Sequence, residues 1–282
     1  MNQRDLLCSR IDHYYIKDCV GNGGFSWVYR ALDLENQKYV ILKILNPDKS
    51  ENPIEVARSE REAKILSELD HPGIINIIGD AKLPPEKKLS HYLVLEDFPS
   101  FDLESWVGTG YTQRWSLSKK AGIILDTARA LDYCHQKGFI HLDGKLANIL
   151  YDGKKVKIID FYLAKDLNRP ELNVSRGRDN VVYGTAQFIP LELLSKRDCP
   201  ASDIFSLGVI FYSLLKDRTL PFPGIEDATD AIRKLTEVPY PLHVGAKREP
   251  KQIQDILMGM TEPSAGDRPR ADEVVSALKK IV

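Results

Sequence analysis

The sequence predicts an α+β chain, with a strand-rich first part holding one main helix and a helical second part. Three observations carry this prediction. Two apolar, β-branched runs of strand length, Tyr39 to Leu45 and His91 to Leu95, fall in the first hundred residues. After Pro99 a helical spacing sets in, with Ile124, Ala128 and Leu131 at offsets i, i+4 and i+7. Ser202 to Leu215 is apolar nearly all round, as in a helix buried at the centre of a unit.

Taken in order, the strand at Tyr39 to Leu45 is followed by a helix over Pro53 to Leu69. Pro53 suits a first turn, and Val56, Glu60 and Ala63 begin a spacing that Leu66 and Leu69 continue. The strand at His91 to Leu95 closes the first part. The next helix spans Ser118 to Lys137, and Gly138 stops it. The change of character near Glu96 to Ser100 divides the chain into a tail at 1–10, a first lobe at 11–97 and a second at 98–282. Together these form one domain, and the join of two lobes is a usual place for a ligand.

Composition narrows the function class. The chain has 282 residues, 43% of them hydrophobic and 28% charged, which is ordinary for a soluble globular protein. A net charge of −1 gives no footprint for a nucleic-acid partner. Cys8, Cys19, Cys134 and Cys199 form no CxxC pair and are read as reduced thiols rather than disulfides or a zinc site. Cys19, just before the glycine run, is expected as a buried strand thiol rather than one reachable from a ligand cleft. The apolar stretches fall well short of the roughly 18 residues that span a bilayer. The expectation is a soluble, cytoplasmic chain without a membrane segment. Trp27, Trp106 and Trp115 are expected to pack.

Four clusters carry chemistry. Gly21-Asn22-Gly23-Gly24-Phe25-Ser26-Trp27-Val28 can present backbone N–H groups to phosphate oxygens, although such a run also serves as a plain tight turn. Lys43 is anomalous in an apolar strand. It either faces solvent from an edge strand or pairs with a carboxylate, for which Glu62 is available. His141-Leu142-Asp143-Gly144-Lys145-Leu146-Ala147-Asn148 offers a base, a cation and a metal-binding amide in one loop, or else is a polar turn. Asp160 ends the apolar run Val156 to Ile159, either as a Mg²⁺ ligand or as a bland strand end.

In this order, from about Tyr15 to the C-terminus, the clusters resemble the eukaryotic-type protein kinase superfamily. Further segments match: Glu62 to the turn at His71-Pro72-Gly73-Ile74, Leu93-Val94-Leu95-Glu96-Asp97, Gly184-Thr185 through Phe188 to Glu192, Asp203 to Gly208, and Gly266-Asp267-Arg268-Pro269. The resemblance implies a bilobal protein-kinase-like fold and an ATP-dependent transfer to Ser/Thr hydroxyls of a protein substrate, with Mg²⁺ or Mn²⁺ as the metal and a regulatory protein as a further partner. It implies that Lys43, oriented by Glu62, contacts the nucleotide phosphates. Asp143 positions or accepts the substrate proton and Lys145 neutralises the transferring group. Asn148 and Asp160 hold the metal. Gly21, Gly23 and Ser26 would line the phosphates, with Ser26 where the family has a third glycine. Val20, Val28 and Leu150 would enclose the adenine beside Leu95, the gatekeeper position. Backbone groups of Glu96 and Phe98 would bond its edge, and Asp102 the ribose. Arg268 would pair with Glu192. Lys145 and Thr185 fit the Ser/Thr class.

Several positions depart from the family pattern. Leu142 replaces an arginine that grips a phosphorylated activation segment, so activity is expected not to require phosphorylation at Ser175, Tyr183 or Thr185. Tyr162 replaces a hinge-like glycine. Ile41 and Ile159 are bulkier than usual, and Pro190-Leu191-Glu192 replaces Ala-Pro-Glu. These departures keep two other classes in view. One is a pseudokinase scaffold or allosteric regulator. The other is a small-molecule phosphotransferase, against which the segments around Glu192, Asp203 and Arg268 count together.

Overall fold

The computed structural model describes residues 2–83, 89–170, 173, 188, 190–194, 197–218, 241–243 and 250–282. Ser175, Tyr183, Gly184 and Thr185 lie outside the described residues. The chain forms two compact units. One comprises Met1–Asp70 with Ile75–Pro99, and the other His71–Ile74 with Ser100–Val282.

The first unit is a six-stranded antiparallel sheet with one long helix. Its strands are β1 (Arg10–Ile11), β2 (Tyr14–Asn22), β3 (Ser26–Asp33), β4 (Lys38–Leu45), β5 (Ile77–Lys82) and β6 (His91–Glu96), in the order β1-β2-β3-β4-β6-β5. β4 and β6 are interior and largely covered, which is why both read as continuous apolar runs. β5 at the edge alternates half-buried with exposed residues. The helix α1 (Pro53–Ser67) starts where Asn52 caps the N–H of Ile54 at 3.0 Å and Pro53 enters the first turn. The core gathers Ile11, Ile16, Tyr29, Val40, Leu42, Ile44 and Val94. Residues 1–10, expected as a tail, join this unit: Gln3–Leu6 is a 3-10 turn, Leu6 is buried, and the Tyr29 hydroxyl donates to the Gln3 carbonyl at 2.7 Å.

The second unit is built mainly of helices. α2 (Leu103–Gly108) is followed by α3 (Leu117–Gln136), α4 (Leu191–Leu194), α5 (Pro200–Lys216), α6 (Lys251–Met260) and α7 (Ala271–Leu278). α3 packs on α5 and α7, and α5 packs on α6. Fully covered Phe211, Val209 and Leu214 show why α5 is apolar around its circumference; each large side chain so buried contributes about 1.5–3 kcal/mol. The stop after α3 is Gly138 at φ +84, a conformation that side chains disfavour, in a site where a Cβ would collide with Asn168. Short strands complete the unit: β7 (Phe101–Asp102), β8 (Phe139–Ile140), β9 (Ile149–Tyr151), β10 (Val156–Ile158) and β11 (Lys165–Asp166). They form an antiparallel β10-β9-β7 sheet and a β11-β8 pair. Trp27 belongs to the first core, and Trp106 and Trp115 pack with Tyr151. Cys19 is exposed, correcting the expected buried thiol: it lies in the stretch Lys17 to Val20 of β2, where every residue is open to solvent. Among the described residues, no helix is long and apolar enough to cross a membrane.

Candidate active site

Lys43 is not an edge-strand residue. It sits on β4 between Val28 of β3 and Leu93 of β6, is only 8% exposed, and must therefore have a partner. Glu62 on α1 provides it, accepting from Lys43 Nζ at 2.6 Å and 2.7 Å through its two carboxylate oxygens. A buried pair of this kind is weak evidence for stability, because desolvation offsets the attraction.

The glycine-rich segment is the hairpin between β2 and β3. Gly21 pairs with Val28, and Gly23 donates its N–H to the Ser26 carbonyl at 3.0 Å. Asn46 braces the turn through Nδ2 on the Gly23 carbonyl at 3.1 Å. Neither Gly21 nor Gly23 has positive φ, and a Cβ on Gly21 would meet Val28 Cβ at 3.4 Å and one on Gly23 the Ser26 carbonyl at 3.4 Å, so neither backbone conformation requires glycine. Ser26 is buried as the first residue of β3, paired with Leu45, so the position needs no glycine. Val20 is exposed and Val28 half-buried. Leu95 and Glu96 end β6. The Glu96 N–H donates to the Asn76 carbonyl at 3.0 Å, and Phe98 follows two residues on.

In the second unit the loop after β8 gathers the polar groups. Asp143 Oδ2 accepts from Lys145 Nζ at 2.8 Å and from Asn148 Nδ2 at 2.8 Å, and Asn148 Nδ2 also donates to the Asp143 carbonyl at 2.9 Å. This turns the amide nitrogen of Asn148 onto Asp143 and leaves its side-chain oxygen outside that contact. Burial pushes the Asp143 pKa up from the ordinary aspartate value, and the nearby Asp160 charge adds to this. Lys145 and His141 oppose the shift without cancelling it. Asp160 follows β10, and the preceding Ile159 donates its N–H to the Asn148 carbonyl at 3.0 Å. Asp160 has left-handed backbone at φ 67, which aspartate tolerates better than most residues. Tyr162, which replaces a hinge-like glycine of the family pattern, lies in the 3-10 turn Phe161–Leu163 without positive φ, so a side chain fits this backbone. Asp102 and Leu150 are brought together as register partners of β7 and β9. The Asp102 carboxylate caps α2, accepting from Ser105 N at 2.7 Å and Ser105 Oγ at 2.8 Å.

Asp203 positions the loop, and sequence reasoning gave it no role. Its carboxylate accepts the N–H of His141 at 2.9 Å, the N–H of Leu142 at 2.8 Å and His135 Nε2 at 2.9 Å. Burial alone would raise the Asp203 pKa, but the hydrogen bond and charge of His135, with His141, outweigh it and hold the carboxyl below its usual value. The signal was present as a lone carboxylate beside Ile204 and Phe205 in an apolar helix. Gly144 was also missed: a Cβ there would lie 2.7 Å from Ser206 Cβ, so the loop meets α5 too closely for any side chain. His141 acts as a brace, with Nε2 on the Ile159 carbonyl at 3.0 Å. Leu142 is buried at φ +63 and clusters with Ile140 and Leu193, so no phosphate-gripping group stands at that position. Arg268 makes its expected pair with Glu192, as a two-point contact.

A protein kinase domain model matches residues 14–278. The chain is 33% identical over 233 residues to the serine/threonine-protein kinase PknA of Mycobacterium tuberculosis, covering 81% of this chain and 52% of that protein. It is 32% identical over 235 residues to PknB of the same organism, covering 82% and 36%. It is 28% identical over 273 residues to a probable serine/threonine-protein kinase of Clostridium perfringens, covering 96% and 38%. The chain thus spans about half, or less, of the length of these curated relatives. A matched region that takes in the Lys43–Glu62 pair and the Asp143–Asn148 loop alike shows that this chain belongs to the protein kinase domain family.

Proposed function

We propose that the chain transfers the γ-phosphoryl group of ATP to serine and threonine hydroxyls of protein substrates, with Mg²⁺, or Mn²⁺ in its place. The observation that carries this reading is the Asp143–Lys145–Asn148 set, in which a carboxylate with a raised pKa is held by a cation and by an amide turned to offer its oxygen. A carboxylate and an amide oxygen are donors that suit a divalent cation such as Mg²⁺, and Asp160 and Asn148 are the residues that would hold it. When bound, the metal neutralises charge on the phosphates. Lys43, kept in place by Glu62, draws the phosphate oxygens toward β4. Asp143 accepts the hydrogen of the attacking hydroxyl, and Lys145 offsets charge on the group in transit. Gly21, Gly23 and Ser26 cover the phosphates. Val20, Val28, Leu95 and Leu150 enclose the adenine, with the carbonyl of Glu96 and backbone groups of Phe98 at its edge. Asp102, already a helix cap, has carboxylate lone pairs to spare for the ribose. The free thiols and the ATP requirement fit a cytoplasmic location, with protein substrates and a regulatory protein as partners.

The test is incubation with Mg-ATP and a generic protein substrate, followed by mass-spectrometric mapping. Phosphoserine and phosphothreonine are expected with the unaltered chain and not with Asp143→Ala or Asp160→Ala. Equal labelling by all three would remove the reading.

A further inference from the structure

A polar chain outside the active-site residues crosses the first unit. The Ser59 hydroxyl on α1 meets His91 Nδ1 at 2.7 Å, and His91 Nε2 meets Asp80 Oδ2 at 2.9 Å. His91 is fully covered, Ser59 is 3% exposed, and the Asp80 side chain is half open to solvent. Registers Lys82↔His91 and Asp80↔Leu93 make Asp80 and His91 diagonal neighbours on one face of the β5–β6 pair. A carboxylate only accepts, so the neutral ring carries its hydrogen on Nε2, and Nδ1 accepts from Ser59. The same three residue types serve acyl transfer in hydrolases. Here the covered ring and hydroxyl admit no carbonyl, so that reading fails on access.

We infer that Ser59, His91 and Asp80 are positioning residues that set the rotation of α1 and so hold Glu62 on Lys43. This rests on the reading that the Lys43–Glu62 pair acts on the nucleotide. Ser59 and Glu62 are three residues apart and share one face of α1. Glu62 reaches β4 and Ser59 reaches β6, the strand next to it. Two attachments one turn apart, to adjacent strands, fix the helix against rolling. Apolar burial does this less well from Pro53 to Glu62, where the buried residues of α1 are Glu55, Arg58, Ser59, Arg61 and Glu62. Glu60 also pairs with Lys82 of β5 at 2.6 Å, but both side chains are open to solvent and screened, so that tie is weak.

The experiment is a double-mutant cycle with a structural readout. Ser59→Ala is expected to lower kcat about tenfold or more, because small misplacements near reacting groups are costly. In a Glu62→Gln background the same change is expected to alter kcat by less than about twofold, since the effect runs through Glu62. Asp80→Ala should behave as Ser59→Ala, and Asp80→Asn, which keeps an acceptor for Nε2, should recover most of the activity. Hydrogen exchange is expected to quicken in α1 of Ser59→Ala and to stay unchanged in β3 and β4. An equal loss in both backgrounds, or unaltered exchange in α1, would overturn the inference. Should the unaltered chain transfer no phosphate, the kinase reading fails, and exchange alone decides whether the link holds α1.

Discussion

Asp143→Asn is expected to lower kcat by about 10²–10⁴-fold while leaving ATP affinity nearly intact, the loss typical when a proton-accepting side chain is removed. The substitution keeps the volume and a hydrogen-bonding group next to Lys145 and Asn148, so the loop should hold its shape. What disappears is the charge proposed to receive the hydroxyl proton. The pH dependence follows from the same environment. Burial raises the Asp143 pKa, so the carboxylate must lose its proton at a higher pH than an ordinary aspartate, whose value is about 3.9. The acid limb of kcat/KM should therefore fall above that value, with activity declining as pH drops through the raised pKa. The opposite sign holds for stability: the folded chain binds the proton more tightly, so Asp143 opposes folding increasingly as pH rises through that window. Steady-state kinetics across pH check both statements. An acid limb at or below the ordinary value would show that Asp143 is not the proton acceptor.

Arg268→Ala is expected to destabilise the second unit by about 3–5 kcal/mol, because it removes the two-point partner of the largely covered Glu192 carboxylate and leaves it the Ser202 hydroxyl at 3.0 Å. All the donors of the Arg268 fork are used. Nε donates to the Glu262 carbonyl at 2.7 Å, Nη1 to Glu192 and to the Ala201 carbonyl at 3.0 Å, and Nη2 to Glu192 Oε2 at 3.1 Å and the Pro263 carbonyl at 3.0 Å. The guanidinium also lies 4.7 Å from the centre of the Phe205 ring. Alanine would take a donor from the Glu262 and Pro263 carbonyls as well as from the carboxylate. With typical domain stabilities of about 5–15 kcal/mol, the variant should unfold at a markedly lower urea midpoint. Arg268→Lys should be nearly as damaging, since one ammonium cannot replace a planar fork that serves several acceptors. Urea titration followed by circular dichroism checks this. A midpoint within error of the unaltered chain would show that the network adds nothing to folding.

Some features were legible in sequence because they violate a local pattern. Lys43 stands out in an apolar strand, and the loop from Asp143 to Asn148 packs base, cation and amide into six positions. Long elements were legible through periodicity: α1, α3 and α5 differ from expectation only at their ends, where capping by Asn52 and Ser116 sets the first residue. What could not be read is contact between residues far apart in sequence. Ser59, His91 and Asp80 are each unremarkable alone, and only the β5–β6 register brings the ring to the carboxylate. Asp203 lies 61 residues beyond the Leu142 N–H it accepts, and α5 shows no local sign of that duty except its charge. The Cys19 expectation failed for the same reason. Exposure on a strand depends on what covers each face, and β2 is uncovered on both from Lys17 to Val20.

The central proposal is that Lys43 and Asp160 are needed to bind ATP with its magnesium. Calorimetric titration with ATP, with and without Mg²⁺, tests it most directly on the unaltered chain, Lys43→Met and Asp160→Asn. The account predicts Mg²⁺-dependent binding to the unaltered chain, weakened by each substitution, with Asp160→Asn losing most of the Mg²⁺ dependence. Binding that neither substitution weakens, or that does not respond to Mg²⁺, would contradict it.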